Sequence, residues 1–306
     1  MINRVLNRLK VVQIVYAYYK NSGKSLKAAE DEVFFSLSKA YDLYLHLLSL
    51  MPAITHYAAD RIAFNSTKLR PTESDLNPNL KFVNNSFIAQ LQVNEQLVKF
   101  MSKSKFNWVD HSDFLRRMLD KIEASEVYKE YMLAEGASYA EDRELWRKLY
   151  KIFIFDNEEL DMLLEEVSLY WNDDKPIVDT FVLKTIKRFE EENGACQQLL
   201  PEYKDLDDMD YARKLMRATI VNAEEYRALM SGSTKNWDIS RLAFMDVIIM
   251  QAALAEMLTF DDIPTSVTLN EYVEIAKYYS TQKSSSFVNG MLDNIVKRLR
   301  EEGRLA

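Results

Sequence analysis

The chain has 306 residues, of which 48% are hydrophobic, so it can bury a sizeable core and is not mostly disordered. Its net charge of −8 argues against a general nucleic-acid coat, and its one cysteine, Cys196, excludes a disulfide framework or a multi-thiolate zinc site. The N-terminus lacks a signal-peptide pattern and no apolar run reaches the roughly 18–20 residues of a membrane-spanning helix, so we expect a cytoplasmic protein that does not enter membranes.

Helical periodicity runs through nearly the whole sequence, and no alternating stretch is long enough to predict a strand. The first helix is apolar on two sides, and a second begins near Ser25 and can run past His46 to Pro52. Breaks are expected at 69–80 and 192–210, where Pro, Gly, Asn and Asp cluster. Further helices are predicted at about 81–105, 111–133, 139–154, 157–171, 176–192, 209–230, 238–259, 266–280 and 285–301. The predicted fold class is therefore all-α.

Charge is distributed unevenly along the chain. Residues 1–29 contain six basic residues and no acid, whereas residues 141–210 contain twenty acidic and nine basic residues. A basic segment in an acidic protein is a candidate anion site. A solvated helix face would explain the same pattern.

Catalytic motifs are absent from the sequence. It has no Gly-rich phosphate loop, HExxH, CxxC or GxSxG pattern. The three histidines, His46, His56 and His111, have no metal-ligand company at close spacing. We therefore predict no catalytic residue, no metal site and no cofactor.

The segment 284–298, "SSSFVNGMLDNIVKR", has an unusual start for an amphipathic helix. With Val288 at the centre of the apolar stripe, Phe287 and Asn289 fall at its two rims and Gly290 falls almost opposite it. Phe287 can pack on a neighbouring helix or stay open to a ligand. Gly290 either lets something approach the outer face or is tolerated because it lies in the first turn. The three serines are expected to cap the helix.

The stretch 262–296 carries a resemblance to a known family. Its segments "LNEYVEIAK" (269–277) and "FVNGMLD" (287–293), after a "DIP" loop, resemble the C-terminal signature of the transcription antitermination factor NusB family. "RLKVVQIVYAYY" (8–19) resembles the family's basic opening helix, and 236–258 resembles the family helix that usually reads Arg…Asp…Leu-Arg…Tyr-Glu. The sequence departs from the family where Gln251, Ala255 and Lys283 stand.

The resemblance covers roughly residues 1–40 and 206–300, and ordinary family members are about half as long. It implies a NusB-like helical bundle with an additional helical insertion. Because the second helix can continue beyond the matching part, we divide the chain into N-terminal NusB-like helices (1–60), an insertion of unknown role (61–205) and a C-terminal NusB-like bundle (206–306).

The resemblance also implies a function without enzymatic activity. Family members bind NusE, a ribosomal small-subunit protein, and the pair binds single-stranded boxA RNA of nascent ribosomal RNA within the RNA polymerase antitermination complex. Single strands are held by basic groups and stacking aromatic rings. The residues predicted to bind RNA are Arg4, Arg8, Lys10, Tyr16, Lys283, Phe287, Asn289 and Gly290. The alternative is a helical protein–protein scaffold without RNA binding.

Overall fold

The computed structural model describes residues 1–21, 25–233, 242–281 and 283–305, and its regular elements are helices, which confirms the all-α class. The first α-helices are α1 (Arg4–Lys20), α2 (Leu26–Ser66), α3 (Glu73–Leu76), α4 (Ser86–Gln92), α5 (Glu95–Met101), α6 (Ser112–Ala124), α7 (Glu126–Leu133) and α8 (Tyr139–Leu149). They are followed by α9 (Glu158–Val167), α10 (Lys175–Arg188), α11 (Leu206–Val221), α12 (Ala223–Gly232), α13 (Phe244–Thr259), α14 (Thr265–Tyr279) and α15 (Ser284–Glu301). Short 3₁₀ turns cover Trp108–His111 and Glu191–Cys196, and a π-helical turn covers Tyr150–Ile154.

The chain divides into two compact units. The central unit comprises Lys39–Pro201 with Met1, and the terminal unit comprises Ile2–Ser38 and Glu202–Ala306. The first division falls inside α2, earlier than the boundary we predicted at residue 60, and the second lies close to the one predicted at 205. The predicted limits of the insertion remain a prediction.

The terminal unit is organised around α13. Every residue of this helix from 246 to 257 is buried, because α1, α11, α12, α14 and α15 all pack against it. A helix that is apolar on all sides is expected at the centre of a bundle. The segment 238–301 was predicted to form three successive helices on short loops, and its described part consists of α13, α14 and α15.

The central unit has an aromatic core. Its largest fully buried side chains include Trp108 and Trp146, and the Trp146 ring lies 5.5 Å from the ring of Phe82. A buried carboxylate ties its helices together, since Asp142 in α8 accepts hydrogen bonds from the Ser86 backbone and the Tyr131 hydroxyl, both at 2.6 Å.

Two predicted helices of the central unit are interrupted, which corrects the sequence analysis. The predicted helix 81–105 is divided into α4 and α5, and 111–133 is divided into α6 and α7. At each break a short polar side chain accepts a backbone N–H of the following turn, Asn94 from Leu97 and Ser125 from Tyr128. Such N-caps start a new helix where hydrophobic periodicity alone runs on.

The second helix is longer than its sequence suggested. α2 has 41 residues and continues through Pro52 to Ser66. Proline removes one backbone hydrogen bond and normally disfavours a helix interior. Its neighbours Met51 and Ile54 are fully buried, so packing on the core outweighs that local cost.

Candidate nucleic-acid interface

Arg8 lies in a buried ionic network, not on the surface. Its guanidinium donates two hydrogen bonds to the Glu256 carboxylate, both at 2.8 Å, and lies 3.4 Å from the carboxylate of Glu271. Arg8 is 3% exposed and Glu256 is fully buried. The Glu256 carboxylate also accepts hydroxyl hydrogen bonds from Tyr211 at 2.5 Å, Thr268 at 2.7 Å and Tyr272 at 3.3 Å.

This network keeps Arg8 charged. Burial is the largest single influence and lowers the pKa of Arg8, but the hydrogen bonding to Glu256 together with the charge interactions with Tyr211, Glu256 and Tyr272 outweighs it and raises the pKa above its usual range. Burial and the neighbouring Glu256 charge raise the pKa of Tyr211 and Tyr272 well above normal, so both stay protonated donors. A phosphate could reach Arg8 only by displacing a bidentate carboxylate. The phosphate contact that we predicted for Arg8 is therefore not available in this structure.

The other two basic residues near the start of α1 differ in exposure. Lys10 is buried, so its ammonium group is also withdrawn from the surface. Arg4 is exposed, with its guanidinium 3.1 Å from the Asp262 carboxylate and 5.3 Å from the ring centre of Tyr211. Of the three, only Arg4 presents its charge to solvent.

A second basic and aromatic cluster lies at the C-terminal end of α1. The rings of Tyr16 and Phe244 are 5.4 Å apart, and both are half-buried. The Lys20 ammonium lies 5.7 Å from the centre of the Tyr16 ring and 4.9 Å from that of Phe244. Lys20 is exposed and follows Tyr16 by four residues, so both lie on one face of α1.

The start of α15 lies at this same end of the terminal unit. The Ser284 hydroxyl donates to the Asp246 carboxylate at 2.9 Å, and Asp246 is in the first turn of α13, two residues after Phe244. Lys283, Asn289 and Gly290 are exposed, and Phe287 is half-buried.

The structure therefore brings together some of the predicted residues and separates others. Tyr16, Lys283 and Phe287 lie at the end of the unit where α13 begins. Arg4 lies twelve residues before Tyr16, about 18 Å away along α1 at 1.5 Å per residue. A single-stranded RNA that contacts both Arg4 and Tyr16 would therefore have to run along most of the length of α1.

Gly290 is open to solvent, as its helical position predicted. A Cβ atom built on it would have no heavy atom within 4 Å, so the glycine does not serve helix packing. The serine cap was wrong: α15 begins at Ser284, its N-cap Lys283 makes no side-chain cap, and the Ser284 hydroxyl is buried against Asp246.

Sequence reasoning missed two residues of this end, Lys20 and Phe244. The position of Lys20, four residues after an aromatic residue in a helix, is a signal that was available in the sequence. Phe244 had no such signal, because its contact with Tyr16 spans more than two hundred residues and exists only in the folded unit. Gln251, where the family often has arginine, is fully buried and donates to the Thr219 carbonyl at 2.6 Å.

No described helix has both the length and the apolar character needed to span a membrane. No group of three or more His, Cys, Asp or Glu residues in the described part of the chain is arranged to hold a metal ion.

Comparison with known proteins gives the family. The NusB family model matches residues 178–297, beginning within α10. The transcription antitermination protein NusB of Salinibacter ruber is 36% identical over 130 residues, which is 40% of this chain and 81% of that protein. The protein of the same name from Listeria monocytogenes is 34% identical over 113 residues, 37% of this chain and 88% of that protein. No solved structure matches. With most of the length of these relatives matched at more than 30% identity, the chain belongs to the NusB family.

Proposed function

We propose that this protein is a transcription antitermination factor without enzymatic activity, which acts in the cytoplasm. It binds boxA-type single-stranded RNA of nascent ribosomal RNA together with NusE, as part of the RNA polymerase antitermination complex. The name shared by its relatives, transcription antitermination protein NusB, supports a role in transcription antitermination. NusE and boxA-type RNA are proposed as partners because the segment 262–296 resembles the NusB family.

One observation carries the RNA-binding part of the proposal. The end of the terminal unit where α13 begins presents Tyr16, Lys20, Phe244, Lys283 and Phe287, which we call the basic–aromatic end. Two exposed ammonium groups there can neutralise phosphates, and partly exposed rings can stack on unpaired bases. Sequence-tolerant stacking is worth about 1–3 kcal/mol per base.

Asn289 and Gly290 extend the basic–aromatic end along α15. The amide of Asn289 can hydrogen-bond a base edge, and the bare backbone at Gly290 leaves room for a sugar or phosphate. Arg4 lies outside this surface and is proposed as a separate phosphate contact for a longer strand. Arg8 and Lys10 are left out because both are buried.

Fluorescence anisotropy with labelled boxA-type RNA, with and without NusE, tests the proposal. We expect binding that strengthens when NusE is added and weakens with salt. Lys20→Gln with Lys283→Gln should make the negative slope of log affinity against log salt shallower by about 1.4, because each phosphate contact on a single strand contributes about 0.7.

The control is Lys204→Gln with Lys214→Gln, which removes two exposed charges at other positions of the same unit. The control variant should bind RNA with the slope of the unmodified protein. A protein that binds NusE but no RNA under any condition would instead support the protein–protein scaffold. Equal slopes in both double variants would remove the basic–aromatic end from the RNA site.

A further inference from the structure

The central unit contains a cavity that the proposed RNA interface does not use. It has a volume of about 470 Å³, within the roughly 300–1,000 Å³ typical of small-ligand pockets. Its aromatic wall is formed by His46, Phe100, Phe106 and Trp171. All of its lining residues belong to the central unit.

The wall of the cavity is fixed by packing around His46. The His46 ring centre lies 4.9 Å from those of Phe100 and Phe106 and 5.6 Å from that of Trp171. The Trp171 indole donates to the Lys39 carbonyl at 2.7 Å. His46 and Trp171 are buried, whereas Phe100 and Phe106 are half-buried and so keep part of each ring open.

The charge of the cavity is positive. Lys39 and Asp42 on its rim neutralise each other through an ion pair at 2.6 Å. Lys103 and Lys105 are exposed on the rim, and no ion pair within 4 Å involves either of them in the described part of the chain. Burial, and to a lesser extent the Lys39 charge, lowers the pKa of His46 to about 4, so the imidazole is neutral at pH 7.

His46 is incompletely bonded. Its Nε2 lies 3.3 Å from the Ser104 hydroxyl, but its buried Nδ1 has no hydrogen-bond partner among the described residues. Unpaired buried polar atoms are uncommon, and together with a shifted pKa in a cavity they are typical of binding sites.

Other cavities of the central unit offer less. One beside Lys81 is of similar volume, but its charged lining is Lys81, Lys148, Glu130, Glu141 and Glu144, so it carries no excess positive charge. Another beside Phe64 is mostly apolar, with Asp60 and Arg61 in its lining, and nothing in the structure indicates what would cover it.

We propose that the His46 cavity binds a nucleoside phosphate, with the base against the exposed parts of Phe100 and Phe106 and the phosphate at Lys103 and Lys105. Planar bases stack on aromatic rings, and a pair of unneutralised lysines suits a phosphate. The same chemistry is offered by a free nucleotide and by one nucleotide of a single strand. The proposal concerns residues of the central unit and does not depend on the RNA interface proposed for the terminal unit.

Isothermal titration calorimetry of the full chain tests this assignment. The probes are AMP, UMP, ribose 5-phosphate and a mixed-sequence RNA of about eight nucleotides, a length within the usual range of single-strand sites. We expect AMP or UMP, or the RNA, to bind. Lys103→Gln with Lys105→Gln should weaken that binding about tenfold or more, and Phe100→Leu should weaken it about tenfold.

The matched control is Lys184→Gln with Lys187→Gln, which removes two exposed lysines of α10 that do not line the cavity. It should bind as the unmodified protein does, and thermal melting checks that every variant is folded. Binding of AMP or UMP that is lost in the cavity variants identifies a free nucleotide as the ligand, and RNA binding alone that is lost in them identifies a strand.

Three results would overturn the proposal: no binding of AMP, UMP or the RNA, equal binding by the cavity variants and the control, or ribose 5-phosphate binding as tightly as AMP. If AMP and UMP do not bind, RNA binding that is unaffected by the cavity variants but lost in the Lys20 and Lys283 double variant would reject the cavity and leave the proposed function intact.

Discussion

Replacing Arg8 tests whether the basic opening helix serves folding or RNA binding. Arg8→Met removes the guanidinium but keeps much of its apolar stem, and it leaves the Glu256 charge fully buried. Breaking one side of a buried ion pair costs about 3–5 kcal/mol, because the remaining charge is uncompensated. Glu256 still accepts from Tyr211, Thr268 and Tyr272, so we expect the lower end, about 3 kcal/mol.

The matched control is Arg4→Met, four residues earlier on the same helix. Arg4 and its partner Asp262 are 43% and 65% exposed, and such surface pairs contribute about 0–1 kcal/mol. Because the chain has two units, stability should be read locally, from amide hydrogen exchange of α13. At 1.4 kcal/mol per factor of ten, Arg8→Met should lower protection of these amides about a hundredfold and Arg4→Met less than about fivefold.

A second substitution and an RNA titration complete this test. Glu256→Gln added to Arg8→Met should recover part of the protection, because no buried charge is then left unpaired. The salt dependence of RNA binding should be the same for Arg8→Met and the unmodified protein. The reasoning is refuted if Arg8→Met exchanges like Arg4→Met and also lowers the salt slope by about 0.7, the value for one phosphate contact on a single strand.

Three further outcomes are expected. Phe287→Ala should cost about 1–3 kcal/mol of RNA affinity in anisotropy titrations, because the ring is half-buried at the rim of α15. A loss of about 3–5 kcal/mol of folding stability with RNA affinity intact would show instead that the ring packs on a neighbouring helix. Gly290→Ala should raise helix stability by up to about 1 kcal/mol in thermal melts, because the added methyl group meets open space. The same variant should bind RNA more weakly, and normal binding would reject a close approach of the RNA backbone to Gly290. The neutral, buried His46 has a pKa of about 4 against about 6.5 unfolded, so below pH 6.5 the unfolded chain takes up the proton first and stability falls. Between pH 7 and 5 this loss should be about 2 kcal/mol in denaturant titrations and absent in His46→Gln, and equal pH dependence in the two proteins would contradict it.

Helical class and surface placement could be read from the sequence because both follow from local spacing. In the terminal unit the 3.6-residue period predicted α14 and α15 within a few residues, but it predicted α11 and α12 as one helix at 209–230. The same period placed Gly290 on the outer face and Phe287 at the rim, where the structure has them. The order of a short loop and two motifs at 262–296 was enough to indicate the family.

Helical periodicity did not predict where several helices of the central unit end. Asn94 and Ser125 interrupt continuous apolar periodicity because their side chains satisfy backbone N–H groups, whereas Pro52 fails to interrupt α2. In both cases a specific bond or the surrounding core decides against the local preference.

The depth of each basic residue of α1 was decided only by the tertiary structure. Arg4 and Arg8 are about one helical turn apart, so the sequence places them on the same face of α1 and predicts that both lie on the same exposed surface. In the folded unit Arg8 meets Glu256 from a segment 248 residues away and is covered, while Arg4 stays in solvent. Periodicity fixes the direction in which a side chain leaves its helix, but which partner lies there depends on contacts distant in sequence. The joining of Tyr16 and Lys20 with Phe244 and the start of α15 has the same origin.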